Sequence, residues 1–141
     1  SLEGRELPII YVPEGDCEIA TLVMVPELST LIAGDLGFNG THLYVAEHDA
    51  QLRKQFLEGV YSMADMGAET IIPGHMAEGA STQAADVIAW TADYLKKFDE
   101  IVADNPSEEE YMKRVADAWG DIPLEFCVPL NAAAALRGEF F

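Results

Sequence analysis

Two short apolar runs in this chain each end on a residue able to bind a metal ion, and a helix-spaced segment lies between them. The first is Leu31-Ile32-Ala33-Gly34-Asp35-Leu36 and the second is Ile71-Ile72-Pro73-Gly74-His75. Both read as brief buried strands that deliver their ligand, Asp35 or His75, at the C-terminal end. From Val45 to Met66, Leu52, Phe56, Val60 and Met63 recur at spacings of three and four, which places them on one helical face. A strand, a crossover helix and a second strand bring a carboxylate and an imidazole to one edge of a sheet.

The flanking segments extend that frame. Leu7 to Val12 reads as a strand closed by the turn Pro13-Glu14-Gly15. Ile19 to Val25 is continuously apolar and ends at Pro26-Glu27. Leu28 to Ala33 follows at hairpin distance, so these two are expected to be adjacent antiparallel strands. Gly37, Asn39 and Gly40 mark a loop after Asp35, Gly67 suits the residue after the central helix, and Glu69 to Ile72 is a brief buried strand.

Beyond Ala80 the pattern turns helical. Ser81 or Thr82 can cap a helix reaching about Asp104, with Ile88, Leu95 and Val102 as its stripe and Asn105-Pro106 as its stop. Ser107-Glu108-Glu109-Glu110 has capping-box spacing and starts a helix carrying Tyr111, Val115 and Trp119 to Gly120. Leu130 to Leu136 is Ala-rich and reads as a last short helix. The expected class is α/β (α+β), with a mixed sheet covered by helices and a helical C-terminal tail. No linker or repeat divides residues 1–141, which read as one domain.

Charge narrows the partners. Twenty-five acidic against 8 basic residues give a formal charge of -17, which disfavours nucleic acid and anionic membranes, both bound mainly through Lys and Arg. No apolar run reaches the ~20 residues of a membrane span. Cys17 and Cys127 lie far apart without CxxC spacing, so a reduced, cytoplasmic setting is the expectation.

With Gly34-Asp35 followed by Leu36-Gly37-Phe38-Asn39, and with Pro73-Gly74-His75 across a helix, Tyr11 to Gly79 resembles the C-terminal half of the metallo-β-lactamase superfamily. That resemblance implies half of a four-layered αββα sandwich and a metal-dependent hydrolase, in which bound water attacks an ester, thioester, lactone, amide or phosphoester. It implies that Asp35 bridges two metal ions and that His75 binds the second. Zinc is the first expectation for the cofactor, with iron or manganese as alternatives.

Aligned back from Pro26, the position of a third ligand falls on Asp16, where the family carries histidine; the competing reading of Asp16 is a solvated turn residue. In Phe38-Asn39-Gly40-Thr41-His42, the resemblance makes His42 a substrate-facing residue, against a plain loop histidine beside Tyr44. His48 reads as solvated, and Cys17 as a bystander thiol rather than a soft ligand.

The family's His-x-His-x-Asp-His motif does not occur; the histidines are His42, His48 and His75. The chain alone therefore lacks most ligands of a dinuclear site. Three functions stay open: part of a longer hydrolase whose N-terminal half supplies the rest, a non-catalytic binding or assembly module, and, with no specific support, a small-molecule carrier. In the first two cases the strands supply more apolar surface than one helical layer covers. The expected partner is a second copy packed sheet to sheet, or the missing N-terminal half.

Overall fold

The computed structural model describes residues 1–141. Strands β1 (Ile9–Val12), β2 (Ala20–Val25), β3 (Thr30–Asn39) and β4 (Thr70–Met76) form one sheet in that order. β1, β2 and β3 pair antiparallel, and β4 runs parallel to β3. Helices α1 (Ala50–Ser62), α2 (Ala84–Val102), α3 (Glu108–Trp119) and α4 (Cys127–Arg137) complete a mixed α+β fold.

Local chemistry accounts for the joints. Pro26–Leu28 makes one 3-10 turn between β2 and β3, closed by Ser29 in the left-handed region with its N–H on the Pro26 carbonyl. α1 starts five residues later than the apolar spacing suggests, because Asp49 caps it by accepting the Leu52 N–H at 2.8 Å. Val45, Ala46 and His48 are instead buried on the approach to it, while Glu47 and Asp49 stay exposed. Gly67, the expected closing residue, stands at φ 75°, and a 3-10 turn, Met63–Met66, leads to it.

Ser107 caps α3 through the Glu110 N–H. α2 begins at Ala84 after Gln83, one to two residues past the anticipated caps, and α4 begins at Cys127 rather than Leu130.

All four helices lie on one side of the sheet. Leu22, Leu31, Ala33, Leu36 and Ile71 from the strands meet Phe56, Val60, Val87, Leu95 and Phe98 from the helices in a single core of 23 buried residues. Each Val, Leu, Ile or Phe among them contributes about 1.5–3 kcal/mol on burial. The stripe of α2 is Val87, Thr91, Tyr94, Leu95, Phe98 and Ile101; Ile88 and Val102 sit at its margin, half-buried. α1 seats close to the sheet at Gly59, where a Cβ would come within 2.7 Å of Val12 Cγ1.

The other sheet face carries no helix, and only the N-terminal segment at Leu2 and Leu7 borders it near Ile32. Ile9 pairs with Val23, Val23 with Ile32, and Ile32 with Ile72. This apolar row crosses all four strands, and Ile9, Ile32 and Ile72 remain 58%, 44% and 42% exposed. Tyr11 extends the patch. No helix is long and apolar enough to cross a membrane.

Candidate metal centre

The site lies where β3 and β4 fall out of step. Gly34 pairs with Pro73 and Phe38 with His75, so three residues of β3 (Asp35, Leu36 and Gly37) oppose Gly74 alone. Such a bulge bends the strand and re-aims its side chains. Gly34 starts it at φ 52°, a backbone conformation that costs other residues more. Leu36 is buried in the core and Asp35 is exposed.

β3 does not stop at Asp35, as its loop-like glycines suggest; it continues to Asn39 beside a β4 that carries Pro73, Gly74 and His75 within the strand. Thr91 of α2 fastens the continuation. Its hydroxyl accepts the Phe38 N–H at 3.0 Å and also lies 2.9 Å from the Phe38 carbonyl.

Gly74 passes directly beneath the carboxylate. A Cβ there would collide with Asp35 Oδ1 and stand 2.8 Å from the Gly34 carbonyl oxygen. The His75 ring stacks on Phe38 at 5.1 Å between centroids, which orients its edge. His75 Nε2 thus stands 3.3 Å from Asp35 Oδ1, with the side chains 41% and 51% exposed.

Asp16 completes the group. Its N–H donates to the Asp35 carbonyl at 3.2 Å, and its carboxylate joins the other two so that all three ligand atoms lie within 4.8 Å of one another. Two donors on one tetrahedral ion, each ~2.1 Å from it, stand about 3.4 Å apart. The Asp35–His75 spacing already meets that, and Asp16 lies within 4.8 Å of both.

Two facing carboxylates are costly without a cation. Burial, and then the nearby Asp35 charge, push the Asp16 carboxyl up to about 7. An oxygen-rich set with one imidazole accepts zinc but also suits manganese or iron(II). Cys17 lies outside the cluster; the residue is exposed, and partial desolvation of its thiol, followed by the Asp16 charge, raises its pKa.

The other two histidines are buried. His42 is 2% exposed. Its Nδ1 lies 2.9 Å from the Tyr94 hydroxyl, and its ring meets Tyr94 and Trp119 edge-on. Burial lowers its pKa. In this packing His42 contacts an aromatic nest of α2 and α3, not an open cleft, and it is not among the clustered ligands.

His48, expected in solvent, is 1% exposed. The late start of α1 carries it under the Glu14–Asp16 turn. The polar neighbours of His48 and the stacking of His75 on Phe38 are not foreshadowed by the sequence; Glu47-His48-Asp49 looks like any hydrophilic helix entry, and only tertiary packing distinguishes it.

The chain matches no protein-family model, and a search of the curated proteins returned no match. The site's chemistry stands on its own residues.

Proposed function

We propose that Asp16, Asp35 and His75 form a divalent-cation site of a metal-dependent hydrolase of metallo-β-lactamase type. The observation that carries the reading is the 3.3 Å separation of His75 Nε2 from Asp35 Oδ1 with Asp16 alongside. A bound divalent cation supplies hydroxide near neutral pH by lowering the pKa of its water to ~7.

The chain's own residues do the holding. Asp35 offers two oxygens, enough to span two cations; His75 offers a neutral nitrogen in an orientation set by Phe38; Asp16 adds a third donor. Three donors leave coordination positions open for water and substrate, and a dinuclear site needs further ligands beyond these. The Asp35 and His75 side chains are about half exposed, so an ester, thioester, lactone, amide or phosphoester can approach.

Elemental analysis of protein purified without chelator tests the reading. It predicts zinc, manganese or iron at one equivalent or more, lost when Asp35 and His75 are both replaced by alanine.

A second reading has its own observation. The row Ile9–Val23–Ile32–Ile72 is an apolar face without cover, and exposed patches of this kind mark interaction surfaces. On this reading the chain is an assembly module that pairs sheet to sheet with a second copy. The two readings are compatible, because the apolar row and the cation ligands are different residues.

A further inference from the structure

Of the three clustered ligands, Asp35 and His75 are carried by strands, and Asp16 alone sits on a turn. A turn holds a carboxylate in place only if something anchors the turn. The Gly15 N–H closes locally on the Cys17 carbonyl at 3.0 Å, and the Asp16 N–H reaches Asp35. The remaining anchor comes from below.

His48 Nε2 lies 2.8 Å from the Gly15 carbonyl and 3.1 Å from the Glu14 carboxylate. With the carboxylate ionised, both neighbours are acceptors, so Nε2 carries the hydrogen. Nδ1 is then the bare nitrogen, and it is buried without a partner. An unpaired buried acceptor is costly, yet the ring's placement spends its donor on the turn.

The histidine is itself held. Its carbonyl accepts from Arg53 Nη1 at 2.9 Å, its N–H donates to the Val45 carbonyl, and its ring leans on Phe56. Arg53 in turn donates from Nε to Asp99 of α2 at 2.6 Å and lies over the Phe98 ring. A continuous polar chain therefore runs from α2 through α1 to the backbone of the residue preceding Asp16.

We propose that His48 is a positioning residue of the cation site, its Nε2–H setting the Glu14–Asp16 turn so that the Asp16 carboxylate meets Asp35 and His75. This rests on reading those three residues as a cation site. Ligand-orienting partners of this kind typically alter metal affinity 10- to 100-fold on removal.

The test titrates zinc into wild type, His48→Phe and His48→Gln by calorimetry, with the metal-free stability of each measured alongside. His48→Phe is expected to weaken zinc binding 10- to 100-fold. His48→Gln, whose amide can donate to the same carbonyl, recovers most of that loss even where its stability stays low. A role in stability alone would lower the melting point and leave affinity unchanged.

A measurement on wild type guards against misfolded variants. Coupling is reciprocal, so zinc must slow hydrogen exchange at His48 Nε2, read by nitrogen-15 NMR. Zinc binding unaltered by His48→Phe, or exchange unaltered by zinc, overturns the proposal alone. A wild-type protein that takes up none of zinc, manganese and iron overturns the cation reading and this proposal with it.

Discussion

His75 Nε2 faces Asp35 Oδ1 across 3.3 Å because β3 spends three residues where β4 spends one, with Gly74 beneath the carboxylate. The ligand pair is thus a product of a bulge and a bare backbone.

Replacing that glycine tests the relationship. Gly74→Ala places a methyl group against Asp35 and the Gly34 backbone. It is expected to cost about 1–3 kcal/mol in chemical denaturation and to weaken metal binding. Unchanged stability would mean that the two strands separate freely at this point.

The fastening of β3 predicts a second loss. Thr91→Val removes the hydroxyl that accepts the buried Phe38 N–H while keeping the side chain's shape. An unpaired buried donor costs ~1–3 kcal/mol, measurable by urea denaturation of the metal-free protein.

Asp16 gives a pH dependence of definite sign. Its folded pKa, about 7, lies above the ordinary 3.8. The stability it contributes is therefore fully present below 3.8 and is lost as pH rises through about 7. Relative to Asp16→Asn, the metal-free wild type should lose stability between pH 4 and 7 and be the less stable protein at pH 8. The difference at pH 8 should be about 1 kcal/mol, because the carboxyl keeps contact with water. Thermal melts across this range check it, and zinc should reverse the order at pH 8.

The uncovered face predicts self-association. Ile32 is central in the row Ile9–Val23–Ile32–Ile72. Wild type should run as a dimer in size-exclusion chromatography with light scattering, and Ile32→Lys as a folded monomer with little change in melting temperature. A strictly monomeric wild type at micromolar concentration contradicts the assembly reading.

Much of this organisation is legible in the residues themselves. The β2–β3 hairpin follows from Pro26-Glu27 between two apolar runs, and the parallel β4 from a helical period between two strands. Asp35 and His75 can be singled out by type and spacing, Asp16 only through the family resemblance and against a solvated-turn reading, and the fold gathers all three.

The extension of β3 to Asn39 is not legible, because Gly37, Asn39 and Gly40 are turn formers whose strand pairing comes from a ladder about forty residues away. Nor is the burial of His48 and His42: each gains its cover from α1, α2 or α3, and nothing within a few residues announces it.

The central claim is that Asp16, Asp35 and His75 hold a divalent cation, and direct titration of zinc into the chelator-treated protein addresses it most plainly. The account predicts saturable binding of at least one equivalent, a raised melting temperature, and loss of both in Asp35→Ala with His75→Ala. No uptake of zinc, manganese or iron, with a melting temperature indifferent to EDTA, would contradict it.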